Sequence, residues 1–572
     1  MLFAFCNFAL FLMIRYLFLL IIGFSPLFVS AQDSGVPFQA PTNHLLGRLE
    51  VLTGFPSPVH PELREISRQD AANYAMAVDS LASLQGRLDQ ADIQYIFDDN
   101  NEFLPDSLYR RSRKPLFKYF YRSPANLLEV NTKDFTLRAN PMVHFQVGSE
   151  RGDPDLLFQN QRGLEVRGTV DDKVFFYTNV VESQARFPDY VGNRINVFTA
   201  LPGGGFYKSY NPRFPKVNNA YDFNIANAIV GFHITRHVGL QLGHGRHFIG
   251  NGYRSLFLSD VGSPMFFLKL NTRVWKFHYQ NIFMELTPGT ANRSGSMRIA
   301  RKYAAIHYLN YKVTPNFAFG FFESTIFNRS RQFEFQYLNP VILYRTVEGM
   351  IGSPDNVQIG LDVRWNLFKR VQLYGQFLIY EFVFSSVVSP DQSGWWGNKF
   401  GIQAGVKYFN AFGINHLDVQ FEYNSVRPYT YSHFDSLNSY THYNQPLAHP
   451  LWSNFREFIG LARFQPHPRL TINGRLIQAN IGDDTPGQNW GNNPLLSNSS
   501  RVQDYGNEIG QGDNARLRIL GLDAAWMLHH NLFVEGKFLL RQKNSDNDAL
   551  DLTTRVFSIG IRMNMWGREY DF

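Results

Sequence analysis

Cysteine is nearly absent: the 572 residues hold one, Cys6. A single thiol excludes a disulfide framework and any cysteine-based metal cluster within the chain. Charge is also scarce, at 18% of residues, against roughly 25% in an ordinary soluble domain. Beyond residue 31 no apolar run approaches the ~20 residues that carry a helix across a bilayer. Mean hydropathy is below zero, so apolar residues are dispersed rather than gathered into spans. Catalytic signatures are missing too. There is no His-Glu-x-x-His and no Gly-x-Ser-x-Gly, and Gly243-His244-Gly245 lacks the helix context and following Lys-Ser/Thr of a phosphate loop. His244 and His247 stand three apart with no further ligand set in view, so no metal is expected. Paired acids for glycoside cleavage are recognised only by their separation in space. The formal charge of +7 is not gathered in an arm, which argues against nucleic acid. The expectation is a chain that is no enzyme and carries no cofactor.

Aromatic residues, by contrast, make up 16%. The one long apolar stretch, 1–31, reads as a signal peptide: Arg15 supplies the positive charge, Tyr16 to Ile22 begins the apolar core, and Val29-Ser30-Ala31 is a small-residue cleavage site. Met13 is an alternative start that yields a signal of ordinary length. Removal of the leader takes Cys6 with it and leaves a cysteine-free chain suited to an oxidising periplasm. Residues 32–62, punctuated by Pro and Gly, read as an extended lead-in. Ser67 with Asp70 three positions on resembles a capping box, and Ala71, Tyr74, Ala75, Val78, Leu81 and Leu84 follow at helical spacing. A second helix is expected from Leu88 to Phe97. The span 63–133 is therefore a helical segment that either plugs a barrel or projects into the periplasm.

From about Phe135 the period changes from 3.6 to 2 and stays there, defining a barrel region over 134–572. Val357, Ile359, Leu361, Val363 and Trp365 alternate with Gln358, Asp362 and Arg364, and Leu417, Val419, Phe421 and Tyr423 alternate with Asp418, Gln420 and Glu422. In the last stretch, Phe557, Ile559, Ile561, Met563 and Met565 share a face opposite Ser558, Gly560, Arg562 and Asn564, and Trp566, Tyr570 and Phe572 extend the apolar side with aromatics. A transmembrane barrel turns such an apolar face to lipid, the polar face to the lumen and aromatics to the interface. Tight connections at 171–172, 236–237, 314–316, 368–369, 467–468 and 529–530 alternate with long ones near 184–220, 247–263, 328–355, 428–452 and 482–513. Short turns on one side and long loops on the other are the barrel pattern. The count is about 18 antiparallel strands, an all-β transmembrane barrel in the outer membrane, with its loops exposed at the cell surface and expected to be monomeric.

Three stretches carry a resemblance: residues 243–260 (GHGRHFIGNGYRSLFLSD), Tyr337-Leu338-Asn339-Pro340 with Arg345-Thr346-Val347-Glu348-Gly349, and Gly352-Ser353-Pro354-Asp355-Asn356. Their order and placement resemble the Wzi capsule-assembly family, including the RemB-type surface proteins of gliding bacteria. The resemblance covers 135–572 and, more loosely, the helical segment. It implies an 18-stranded outer-membrane barrel that attaches capsular polysaccharide without catalysis. The RemB-like branch implies instead a mobile component of gliding motility with that machinery, or secretion machinery, as partner. A diffusion porin is the third reading. Loops carry specificity, so the sugar does not follow.

Glycan-binding candidates lie in the loops. Loop 184–220 combines Arg186, Arg194, Lys208, Arg213 and Lys216 with Tyr190, Tyr207 and Tyr210 against the acid Asp189. Rings offer sugars a flat apolar platform and guanidinium groups pair with uronate carboxylates. Arg246, His247, Tyr253, Arg254 and Asp260 belong at or inside the mouth, in a Gly-rich loop that either binds a ligand or folds inward on hydrogen bonds. Trp395 and Trp396 either stack on sugar or anchor at the interface. Tyr429, Tyr431, Tyr440 and Trp452 pose the same choice.

Overall fold

The computed structural model describes residues 34–572 except 58, 65, 82–83, 85, 214–215, 290–299, 330–331, 382 and 384–392. The expected leader lies outside these residues. Period-two alternation resolves into eighteen long antiparallel strands. They are β1 (Phe135–Glu150), β2 (Leu157–Val170), β3 (Val174–Arg186), β4 (Ala220–Thr235), β5 (Val238–Gly245), β6 (Met265–Val274), β7 (Phe277–Leu286), β8 (Lys302–Thr314) and β9 (Phe317–Phe327). The ring continues with β10 (Asn356–Leu367), β11 (Val371–Glu381), β12 (Lys399–Tyr408), β13 (Leu417–Val426), β14 (Phe455–His467), β15 (Leu470–Asp483), β16 (Asp513–His529), β17 (Leu532–Ser545) and β18 (Leu552–Met563). Each pairs with its chain neighbours, and β18 returns to β1 with Ile561 opposite Phe145, which closes the barrel. Two short segments, Leu128–Asn131 and Lys208–Tyr210, pair with β1 and β4 outside the ring.

The tight turns occupy one end and the long loops the other. At Asp171-Asp172 both residues are left-handed (φ 52° and 48°), the conformation that a two-residue hairpin needs to match strand twist. Phe557, Ile559 and Ile561 on β18 are exposed, as are Leu361, Val363 and Trp365 on β10, whereas Ser558 and Arg364 face inward and are buried. Exposed Trp275, Phe368 and Phe412 gather at the tight-turn end, where a barrel places an aromatic girdle.

The last residues leave the expected course. β18 stops at Met563, Asn564 turns left-handed (φ 50°), and the tail enters the lumen. Met565 is buried against Met142 and Val181, out of line with Ile561. Trp566, Tyr570 and Phe572 therefore do not extend the outer apolar face. Acids in the tail explain this: Glu569 lies 3.1 Å from both Lys537 and Arg475, and Asp571 lies 3.1 Å from Arg475. A course along lipid would strip those carboxylates of partners.

The lead-in is helical in part. α1 (Pro41–Thr53) starts with Pro at its first turn and ends on left-handed Gly54, burying Leu45, Leu46 and Leu49. Pro at the start and Gly past the end are helix boundaries, so the same punctuation that suggests irregular chain marks a helix here. α2 (Arg68–Ser80) begins at Ser67, whose hydroxyl accepts from the Asp70 amide at 3.0 Å, and α3 (Arg87–Asp99) follows. The three helices share one apolar core. They dock into the tight-turn end of the lumen on buried charges. Arg364 of β10 reaches Glu50 at 3.0 Å and Glu62 at 2.5 Å, Arg48 reaches Asp418 at 3.4 Å and Asn410 at 2.7 Å, and Arg167 of β2 reaches Glu102 at 2.9 Å.

The lumen is not polar throughout. In its long-loop half the inward residues Ile306, Phe322, Phe455, Ile477 and Ile519 are buried in a dry core with the loop Leu256–Leu258. The polar lumen expected from the alternation holds only nearer the tight turns.

Two outcomes test this docking. Arg364→Met leaves Glu50 and Glu62 buried without the guanidinium that bonds them both, which is expected to weaken docking by about 3 kcal/mol. The readout is faster proteolysis of the helical segment while the barrel keeps its heat-modifiable migration. Acid acts on the same contact. Burial, helped by Lys312, lowers His60 to about 4. Burial alone raises the Glu102 carboxyl, but Arg167 and Arg138 reverse this and hold it at about 2. Both groups bind more protons when undocked, so docking is stronger at higher pH. It is expected to weaken below about 6.5, where free His60 protonates, and further between 4.5 and about 2 through Glu102. Protease sensitivity that stays flat from pH 7 to 3 refutes this.

Candidate functional site

The loop after β3 forms α4 (Asp189–Phe198), which buries Tyr190, Val191 and Ile195 against the barrel mouth. The Tyr190 hydroxyl donates to the Tyr570 carbonyl at 3.0 Å, and the Arg541 guanidinium lies 4.7 Å above the Tyr190 ring. Arg194 donates to the Pro450 carbonyl at 2.8 Å and covers the Phe572 ring at 4.2 Å. Arg186 pairs with Asp153 at 2.6 Å. Tyr190 and Arg194 thus brace the returning tail from above.

The loop between β5 and β6 folds inward. Its backbone polar groups lie far from water, and strand side chains satisfy them, as burial requires. Gln376 accepts from the Leu256 amide at 2.8 Å and donates to the Ile249 carbonyl at 3.0 Å, while Glu422 accepts from the amides of Tyr253 at 2.6 Å and Arg254 at 3.1 Å. Phe257 stacks on Phe322 at 4.5 Å, close enough to β10 that a Cβ on Gly360 would meet the Phe257 ring at 2.4 Å. From the loop above, the hydroxyls of Tyr431 and Tyr440 donate to the carbonyls of Leu256 at 2.9 Å and Phe257 at 2.8 Å. Tyr429, Tyr431, Tyr440 and Trp452 are buried as lid and packing groups. Arg254 pairs with Glu457 at 3.2 Å and donates to the Asp571 carbonyl at 2.7 Å; the Tyr253 hydroxyl bonds the Asp571 carboxylate. His247 is buried edge-on to Phe267 at 4.4 Å, while His244 is exposed on the opposite face. The two histidines cannot share a ligand.

Between this loop, α4, the tail and residues 35–39 lie two chambers of about 240 Å³ each. Both are lined by Gln39, Pro202 and Arg568; Arg246 and His247 line one, and Arg194, Tyr253, Arg254 and Asp260 the other. The structure therefore brings six of the loop candidates together, inside the barrel rather than on its surface. Sequence reasoning missed Arg64 and Arg568. Arg568 carries its own signal, because Gly567-Arg568-Glu569 breaks the alternation of the last strand. Arg64, Arg194, Arg246 and Arg568 find main-chain carbonyls as partners, those of Gly252, Pro450, Gly262 with Gly203, and Asp260 with Val261. Burial lowers all four, and a neighbouring arginine adds to the effect at two of them: Arg541 at Arg194, Arg568 at Arg246, each of these falling to about 9. The chambers suit a small anion or one acidic sugar. Each is smaller than the roughly 300–1,000 Å³ of common ligand pockets, so a polymer does not thread through them.

A second group of candidates stays at the surface. Lys208, Arg213 and Lys216 are exposed. The rings beside them are committed: Tyr207 packs edge-on to Tyr221 at 5.2 Å, and Tyr210 packs against Phe158, Val217 and Ala220. Trp396 is half-buried with Arg501 at 4.1 Å and Lys399 at 4.6 Å from its ring, and Trp395 is 6.2 Å away. Two sets of possible metal ligands also assemble, Asp89/Asp92/His416 and Glu150/Asp153/Asp189. In each a guanidinium already stands in the cation's place, Arg48 at 2.9 Å from Asp89 and Arg186 at 2.6 Å from Asp153.

The sequence matches no family model and no curated protein. Among solved structures the fold is similar to Wzi of Escherichia coli, described as an outer-membrane protein involved in group 1 capsule assembly and a carbohydrate-binding β-barrel. The TM-score is 0.55 and the identity 13%, over 94% of this chain and 99% of that one. OprD of Pseudomonas aeruginosa aligns at TM-score 0.40 and 11% identity over 75% of this chain and 94% of its own. The first likeness places the fold among outer-membrane barrels; at 13% identity it speaks to fold alone.

Releasing the inward loop is the direct test of lumen packing. The double variant Gln376→Ala, Glu422→Ala removes the acceptors of three buried amides, each costing about 1–3 kcal/mol when unsatisfied. Conductance in planar bilayers is expected to be near baseline for the parent chain and to rise in bursts for the variant. A large steady conductance of the parent chain contradicts the packed lumen.

Proposed function

We propose that the protein is a non-catalytic outer-membrane anchor that holds exported acidic polysaccharide at the cell surface through its long-loop end. One observation carries the reading: the chain's own segments fill the lumen from both sides. The helices dock through Arg364 and Arg167 at the tight turns, and the inward loop and the tail meet at Arg254 and Asp571 near the mouth. A diffusion porin needs the opposite. With the interior occupied, the outer surface of the loops is where a polymer binds. Lys208, Arg213 and Lys216 offer exposed cations there, and Trp396 with Arg501 offers a ring beside charge. Such mixtures recognise uronate carboxylates and sugar faces. The likeness in fold to a carbohydrate-binding barrel of capsule assembly supports the same reading.

The test is a deletion strain in which surface polysaccharide is divided into attached and released fractions. Deletion is expected to move polymer to the released fraction at unchanged total, and the wild-type gene to reverse it. The triple variant Lys208→Ala, Arg213→Ala, Lys216→Ala is expected to restore little, with affinity for purified polymer roughly tenfold lower if each exposed charge contributes about 0.5 kcal/mol. An unchanged partition in the deletion strain ends the anchor reading.

A further inference from the structure

On β16 the alternation inverts its polarity partway along the strand. From Leu520 through Leu522 and Trp526 to Leu528 the exposed residues are apolar, but beyond Leu520 the outward positions are Arg518, Arg516 and Asn514 while the inward ones become Ile519, Leu517 and Ala515. The inversion is level across the neighbouring strands. Leu476 is opposite Leu520 and Ile477 opposite Ile519, and Ile459 of β14 is opposite Ile477. Leu520 to Leu528 spans nine residues, roughly 26 Å of strand, or about 20 Å of height at a tilt near 40°. That is close to the ~25 Å apolar band of a membrane barrel, so the inversion marks the upper edge of the hydrocarbon.

Immediately above that edge the outer wall is basic. Arg456 of β14 is opposite Asn480, Asn480 is opposite Arg516, and Arg516 is opposite Asn544. One step lower, Phe458 is opposite Gln478 and Gln478 opposite Arg518. Arg555 of β18 continues the arc beyond β17. All four arginines are exposed. Between the band and the loops, the outward strand positions of β13–β18 hold no carboxylate among the described residues, and the first acids met are Asp546 and Asp551 at the loop rim. Two shallow hollows lie among these side chains on the outer wall. One of about 460 Å³ is lined by Arg456, Phe458 and Tyr423, and one of about 250 Å³ by Arg516 and Arg518.

We propose that this arc binds the phosphate-bearing head groups of lipids in the leaflet at the long-loop end. A guanidinium fork pairs with a phosphate through two parallel hydrogen bonds. The arc stands where those phosphates lie, just above the acyl chains, and Phe458 and Tyr423 give the first carbons of the chains an apolar contact. The site lies on the lipid-facing wall and is independent of what the loops hold. Its consequence is a fixed height and rotation of the barrel in the leaflet, with a lipid collar on one side only.

The full chain and a variant with Arg456, Arg516, Arg518 and Arg555 each changed to Gln are purified with lipid and compared by native mass spectrometry. The lipids are phosphorylated lipid A and the same lipid with its phosphates removed. The parent chain is expected to retain phosphorylated lipid roughly tenfold more than the dephosphorylated form, and the variant to lose that preference, as phosphate pairing requires. Arg162→Gln, on the outer wall at the Glu182 pair, is expected to keep it, and heat-modifiable migration shows that all three chains are folded. Equal retention of both lipids by the parent, or an unaltered preference in the four-site variant, overturns the proposal. So does a four-site variant that sheds polysaccharide yet keeps phosphorylated lipid, which assigns the arc to the polymer.

Discussion

In hydrocarbon no water is present to satisfy a backbone amide or carbonyl, and a sheet satisfies them all only when its ladder closes. The pairing of β18 with β1 supplies that closure, and the rest of the molecule follows from it. Closure fixes which face of each strand sees lipid, so one set of side chains is sorted by solvent alone. It also encloses a lumen that in a ring of this size is wide enough for water, and here the chain's own helices, inward loop and tail occupy it and partner its groups.

The two halves of the interior meet this demand differently. Near the tight turns the strands present charge, and part of it is met by charges of the N-terminal segment, as Arg364 is by Glu50 and Glu62, and part by neighbouring strands, as Glu535 is by Arg562. Near the mouth the strands present apolar groups, and the inward loop fills them with Leu256, Phe257 and Leu258. The tail joins the two by placing Glu569 and Asp571 among Arg475, Lys537 and Arg254. The surfaces that packing does not consume are the loop cations outside and, at the lipid edge, the arginine arc, and the two proposed binding roles rest on them.

The motifs that carry the family resemblance sit where the structure is tied together. Residues 243–260 are the inward loop. Tyr337 donates to Asp355 at 2.6 Å, and Arg329 reaches the same carboxylate at 2.6 Å, so the second and third motifs latch the loop between β9 and β10. Arg246, His247, Tyr253, Arg254 and Asp260 read equally as ligand groups or as struts from sequence, because residue type does not distinguish a guanidinium that meets a carbonyl of its own chain from one that meets a sugar.

The sequence by itself determined the barrel: its strand number, its outward faces and the alternation of short turns with long loops. Lipid is uniform, so each outward position is decided locally, residue by residue, and the period is visible without knowing any neighbour. It also carried Ser67 as a helix cap and, unread, Pro41 and Gly54 as helix ends. Only the tertiary structure decided the fate of the loops, of the tail after Met563 and of the candidate residues. Their partners lie far off in the chain, Gln376 for Leu256, Pro450 for Arg194, Lys537 for Glu569. Which of them meet is set by the geometry of the closed ring, since the enclosed backbone and charges take whatever partners the opposite wall presents.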